Sequence, residues 1–182
     1  ASEQFALNQC RSVMPVADNA GARAMKVYEE KDGVLRIEGD GMKAAFDKTN
    51  GRMMSLVYGG KEMIHRMQGP SFEWFRSISN DIRDRNLGSV IALKNFSYKV
   101  ADDRKSIEVA TAFVATVGDE AVPHTVKYVV NANGVVEVDA TFSVPQKFSL
   151  PRLALQTMLA PGLENVEWYG CGPMENYRDR NS

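Results

Sequence analysis

Glu175 and Asp179 stand four residues apart in the stretch Trp168-Tyr169-Gly170-Cys171-Gly172-Pro173-Met174-Glu175-Asn176-Tyr177-Arg178-Asp179-Arg180. Two carboxylates at close range are the raw material of general acid–base chemistry. Here Arg178 and Arg180 lie beside them, and a guanidinium binds a carboxylate through short, charge-assisted hydrogen bonds. The spacing therefore points to a structural ion-pair network rather than a proton-transfer pair. Gly170, Gly172 and Pro173 break both the helical and the strand repeat. The segment reads as a shaped loop, with Trp168, Tyr169 and Tyr177 packed beneath it and bonding its backbone through their polar tips.

Other candidates are sparse. His65 and His124 are the only histidines. With a carboxylate such as Glu73 they could act as acid and base if the fold brought them into one cleft. Several predicted strands separate them, so ordinary surface or half-buried placement is the expectation. Cys10 and Cys171 are the only thiols, and their separation makes neither a CxxC motif nor a disulfide framework. No histidine, cysteine or carboxylate pair has ligand spacing on one predicted strand face, so neither a metal nor a cofactor is expected.

The elements that must hold these residues read as strands. Two-residue alternation covers 34–38, 42–46 and 53–58, separated by Gly39-Asp40-Gly41 and Asn50-Gly51, which predicts an antiparallel meander. Longer alternating runs cover 106–116, 122–130 and 135–144. The last two are joined by Asn131-Ala132-Asn133-Gly134, where Asn and Gly tolerate positive φ and close a hairpin. One helical turn is predicted, over 81–93, although Gly88 and poor apolar spacing lie inside it. Residues 18–21 and 83–89 read as exposed loops. Gly69-Pro70-Ser71-Phe72-Glu73-Trp74-Phe75-Arg76 reads as a turn supporting the loop after it, with Trp74 or Phe75 buried. Nine methionines suit an irregular core between sheets. The expected fold class is all-β, a large antiparallel sandwich.

Composition narrows the partners. A length of 182 residues suffices for one domain with a real core. The net charge is −1 with acids and bases intermixed, which offers no basic stripe to nucleic acid. No apolar run approaches the roughly 18–20 residues of a membrane span, and the first residues have neither a charged nor an apolar leader region. A soluble protein, cytoplasmic or periplasmic, is expected, and the start without Met reads as a processed or excised piece.

Trp168, Tyr169, Gly170, Gly172, Pro173, Glu175, Asn176, Tyr177, Asp179 and Arg180 fit the pattern W-Y-G-x-G-P-x-E-N-Y-x-D-R. This resembles the signature of the C-terminal, small-chain domain of glycoside hydrolase family 2 β-galactosidases. Pro151-Arg152-Leu153-Ala154-Leu155 resembles the P-R-x-G-L strand that precedes the signature, with Ala154 where Gly is common. Arg76-Ser77-Ile78-Ser79-Asn80-Asp81 resembles the family's R-A-P-T-D-N-D loop, without the proline and with its acids shifted.

The resemblance implies a supersandwich similar to galactose mutarotase, incomplete in this chain. Residues 1–20 would be a linker and the closing strand of a preceding sandwich, and 21–182 the N-terminal part of the supersandwich domain. It further implies a parent enzyme that hydrolyses terminal β-D-galactosides with retention, through two glutamates on a separate TIM barrel. Retention needs two carboxylates about 5 Å apart, and nothing in this chain matches the motifs that carry them. The chain would hold no catalytic residue and be inert alone, its role being to support and border the active site. Asn80, Asp81 and Arg83 would then influence substrate access. The signature aromatics could stack on a pyranose, although packing beneath the loop is favoured. Implied partners are the remaining domains of the parent and, through it, a β-galactoside. Sheet edges left without neighbours would favour a homo-oligomer, poor solubility, or strands supplied by a second polypeptide. Two rival readings are a free-standing carbohydrate-binding sandwich, which needs an exposed aromatic platform, and a mutarotase-like epimerase, which needs His65 and His124 in one cleft.

Overall fold

Short polar turns between alternating segments send each strand back alongside its predecessor. In the computed structural model, which describes residues 18–75, 89–146, 150 and 152–165, this yields three antiparallel sheets. Strands β1 (Lys26–Glu29), β2 (Val34–Glu38), β3 (Met42–Asp47), β4 (Arg52–Tyr58) and β5 (Lys61–Glu62) pair in sequence order as a five-stranded meander. After the short β6 (Ser71–Glu73) come β7 (Ser89–Val100), β8 (Ser106–Val117), β9 (Glu120–Asn131) and β10 (Val136–Phe142), a four-stranded sheet ordered β10-β9-β8-β7. The last strand, β11 (Ala154–Gln156), returns to pair with β6. The described residues contain no helix.

The two larger sheets face one another across a single apolar core, which makes the molecule an antiparallel β-sandwich. Leu35, Ile37, Met42 and Phe46 on one side meet Ile107, Val109, Val126 and Tyr128 on the other. The Phe46 ring sits edge-on to Tyr128 with centroids 5.1 Å apart, the arrangement that aromatic quadrupoles prefer. Each such buried side chain contributes about 1.5–3 kcal/mol. A second cluster of Phe72, Trp74, Ala115, Val117 and Val122 fastens the β6–β11 pair to the end of the four-stranded sheet. As expected for the aromatic support, Trp74 is buried while Phe75 is exposed.

Two β-bulges set which side chains reach the core. In β4 the register against β3 slips between Ala45↔Ser55 and Phe46↔Met53, so Met54 is an extra residue. The inward face moves from Met53 to Leu56 and Tyr58. In β7 the slip against β8 lies between Leu93 and Asn95, leaving Lys94 as the extra residue. Ile91 and Leu93 point inward before it, Phe96, Tyr98 and Val100 after it. This corrects the helical turn expected over 81–93. Residues 89–93 are strand, in register with β8 from Ser89↔Val117 to Leu93↔Phe113. The apolar residues there answer to a sheet partner that local propensity does not see.

The Asn50-Gly51 turn, which begins β4, lies tight against the other sheet. Gly51 has φ +74, and a Cβ there would come within 2.5 Å of Leu93 Cδ1 and 2.9 Å of the Phe113 ring. Backbone conformation and space both demand glycine. The predicted β9–β10 hairpin is present, closed by Asn131 N–H donating to the Val135 carbonyl (2.9 Å) and Gly134 N–H to that of Asn131 (2.9 Å). The loop near residue 18 is exposed but tethered to this turn. The Asn19 side chain donates to Asn131 Oδ1 (3.1 Å) and accepts from Asn133 N–H (3.2 Å).

Candidate functional site

The residues singled out for access and signature roles are Asn80, Asp81, Arg83, Trp168, Tyr169, Gly170, Gly172, Pro173, Glu175, Asn176, Tyr177, Asp179 and Arg180. All lie outside the described residues, as do Cys10, Cys171 and the closing strand expected over 3–7. What the structure builds is the platform from which the two candidate segments spring. The segment 76–88 is bounded by Phe75, just past β6, and by Ser89, where β7 begins. Ser89 pairs with Val117, and Val117 shares the small core with Trp74. Both stems of that segment are thus held by one cluster at one end of the four-stranded sheet.

The approach to the signature runs through β11. Ala154 pairs with Glu73 and Gln156 with Ser71, so the chain beyond β11 leaves this small sheet at the end opposite to the one β6 exits. It then lies along the 63–68 turn: His65 N–H donates to the Met158 carbonyl (2.8 Å), Ala160 N–H to Met63 (2.8 Å), and Ile64 bridges Leu159. Lys61 Nζ donates to the Gly162 carbonyl at 3.2 Å. Of the stretch that resembles a P-R-x-G-L strand, Ala154 and Leu155 begin β11, Arg152 and Leu153 precede it, and Pro151 lies outside the described residues.

The described titratable groups serve the fold. His124 is 4% exposed and sits in a row of rings, stacked between Phe113 (5.1 Å, 19°) and Phe142 (5.4 Å, 23°) with Phe72 tilted over it at 5.3 Å. Strand register explains the row, because His124 lies directly opposite Phe113 on β8 and Phe142 on β10. Its Nδ1 meets the Val122 carbonyl at 3.2 Å; a carbonyl only accepts, so Nδ1 carries the proton. Burial holds the imidazole below its ordinary value of 6.5, against the smaller opposing effect of that hydrogen bond. Such a ring is a packing element. His65 occupies the 63–68 turn and is absent from the roughly 280 Å³ hollow that His124 helps to line with Lys94, Pro123, Thr125, Thr141 and Ser143. Glu73 closes on its own turn by accepting from Phe75 N–H at 2.7 Å.

Glu62 is a carboxylate that sequence reasoning passed over. Burial works against its charge, but hydrogen bonds from the Ser55 hydroxyl and from the Ile64 and Leu56 N–H groups, both at 2.9 Å to Oε1, outweigh it and hold the carboxyl below 4.5. It clips β4, β5 and the following turn together. The only signal was an acid inside a short alternating run, which does not distinguish a clip from a solvated residue. Among the described residues, no three His, Cys, Asp or Glu side chains are grouped as a metal site would require, and no helix is long and apolar enough to cross a membrane.

Comparison with known proteins supplies what the described geometry does not. Residues 38–182 match the family model described as "Beta galactosidase small chain". The chain is 32% identical over 165 residues to a β-galactosidase of Lactobacillus delbrueckii subsp. bulgaricus, covering 83% of this chain and 16% of that protein. It is 31% identical over 171 residues to a β-galactosidase of Halalkalibacterium halodurans, covering 86% and 16%. It is 27% identical over 202 residues to the β-galactosidase BgaC of Bifidobacterium adolescentis, covering 99% and 18%. The chain thus spans less than a fifth of the length of these relatives.

Proposed function

This chain belongs to the β-galactosidase small-chain family, and on that premise we propose that it is a non-catalytic accessory domain of a larger enzyme that hydrolyses terminal β-D-galactosides with retention. The observation that carries the reading is the match over 38–182 together with the small share of each relative that the chain spans. A retaining glycosidase places two carboxylates about 5 Å apart across the scissile bond. No sequence motif for such a pair occurs here, and two of the described carboxylates, Glu62 and Glu73, are engaged with backbone N–H groups. The chain's contribution is a rigid stand beside a site assembled elsewhere. Asn80, Asp81 and Arg83 border the route of the substrate, on a segment whose stems the Trp74–Val117 cluster fixes.

The test is hydrolysis of a chromogenic β-galactoside by the 182-residue chain alone and by the full-length enzyme carrying it. Turnover in the full-length enzyme only is expected. Turnover by the isolated chain would place the acid pair within these residues and overturn the reading. In the full-length enzyme, Arg83→Ala should raise KM several-fold with little change in kcat, as loss of uniform binding does.

A further inference from the structure

Asn50 and Asn133 are the two asparagines of the chain followed by glycine. Such a pair can modify itself, because a glycine amide nitrogen has no adjacent Cβ to hinder its attack on the asparagine side-chain carbonyl carbon. With Gly134 as nucleophile, its N–H proton passes to solvent hydroxide, the bond from nitrogen to Cγ forms, and the Cγ–Nδ2 bond breaks. The amide leaves as ammonia after taking a proton from water. Water then opens the succinimide ring at either carbonyl, giving aspartate or an isoaspartate whose main chain runs through the former side chain. One water is consumed and one ammonia released, with no oxidation or reduction.

The two turns present this chemistry differently. Each asparagine makes the same local bond, Arg52 N–H donating to Asn50 Oδ1 (2.9 Å) and Val135 N–H to Asn133 Oδ1 (3.0 Å). That bond closes a ring around the glycine amide and supports the oxyanion that forms on attack. Gly51, however, is buried, with Leu93 and Phe113 so close that a Cβ would come within 2.5 Å and 2.9 Å of them. Its nitrogen is shielded from solvent base and confined. Asn50 Nδ2 also donates at 2.6 Å to the Asp47 carboxylate, whose charge repels hydroxide. Asn133 is exposed, and its Nδ2 donates to the neutral Asp18 carbonyl at 3.2 Å. A Cβ at Gly134 would meet Tyr58 Cε1 alone, at 3.6 Å. Two hydrogen bonds hold Gly134: its N–H donates to the Asn131 carbonyl (2.9 Å), and its carbonyl accepts from the Tyr58 hydroxyl (2.7 Å). Burial keeps that phenol above its ordinary value of 10, so it still donates in mildly alkaline solution.

We propose that Asn133 is a deamidation site of the folded protein, and that its conversion unfastens residues 18–22 from the end of the sandwich while Asn50 stays protected. An acid at 133 sets oxygen against the Asp18 carbonyl, which loses its donor. Isoaspartate further lengthens the main chain inside the turn that the Asn131–Val135 and Gly134–Asn131 bonds close. The Asn19 side chain, which grips Asn131 and the Asn133 N–H, then loses the geometry it fits.

Peptide mapping by mass spectrometry, on the full-length enzyme held in mildly alkaline buffer, tests this. In urea both turns are open and the two sites should convert at similar rates, which sets the chemical baseline. In the folded enzyme Asn133 should convert at least about fivefold faster than Asn50, and Tyr58→Phe, which frees the Gly134 carbonyl, should raise that ratio about fivefold again. Trypsin should cleave the folded Asn133→Asp enzyme after the exposed Arg23 several-fold faster than the unaltered one. Equal folded-state rates at the two sites, an unconverted Asn133 while the urea sample converts, or a ratio that Tyr58→Phe leaves unchanged would each overturn the deamidation site. Unchanged cleavage after Arg23 would overturn the unfastening. None of these outcomes bears on the accessory role, which the hydrolysis assay reads separately.

Discussion

At the scale of single residues, the structure turns candidates for chemistry into parts of the frame. His124 is the clearest case, since burial between Phe113 and Phe142 disfavours a charge on the ring, and the Lys94 ammonium lines the hollow beside it. Its folded-state pKa is lowered by burial below the ordinary 6.5. The unfolded chain therefore binds a proton there before the folded one does, and stability falls as pH drops below about 6.5. Glu62, also held below its ordinary value, contributes stability above about pH 4.5 that is lost only on further acidification, so the two windows separate. The expected outcome is a melting midpoint about 2–4 °C lower at pH 5.5 than at pH 7, followed by near-UV circular dichroism. His124→Phe keeps the row of rings and removes the titrating group, so its midpoint should change little over the same interval. An equal drop in the variant would show that His124 is not the group responsible.

At the scale of elements, the alternating runs at 106–116 and 122–130 were legible because β8 and β9 each have one buried face and one more exposed one, and those at 34–38 and 42–46, buried in part on both faces, because the Gly39-Asp40-Gly41 and Asn50-Gly51 turns bound them. The exceptions share a cause. Around Lys94 the inward residues run Ile91, Leu93, Phe96, Tyr98, and the one step of three breaks the period of two; read locally, that slip imitates a helical repeat. Met53, Leu56 and Tyr58 show the same slip around Met54. The role of His124 was equally illegible, because it depends on cross-strand neighbours on β8 and β10 that no local window contains. If Lys94 is a true bulge residue, deleting it leaves Leu93 inward, Asn95 outward and Phe96 inward. The variant should fold, at a cost of about 1 kcal/mol. Deleting Ala110, which has no bulge to absorb the change, throws every residue on one side of it onto the wrong face and should abolish the cooperative urea transition. Comparable transitions in the two variants would mean that the β7 slip is not a bulge.

At the scale of the whole molecule, a domain that borders a site and a domain that performs its chemistry differ in what their acids do to the pH dependence of turnover. In the accessory reading, Glu175 and Asp179 hold Arg178 and Arg180 in a structural network, and the proton-transferring carboxylates belong to another part of the enzyme. Glu175→Gln and Asp179→Asn, made in the full-length enzyme, should lower its melting midpoint or its yield. They should leave both limbs of the pH profile of kcat/KM in place for the molecules that remain folded. Loss of a true general acid or base has a different signature: kcat falls by about 10²–10⁴ and one limb of the bell disappears. Both quantities come from a single pH series on active-site-titrated enzyme, which separates fewer active molecules from slower ones. A missing limb in either variant would move the chemistry into this chain and leave the β-sandwich as the wall of its own active site.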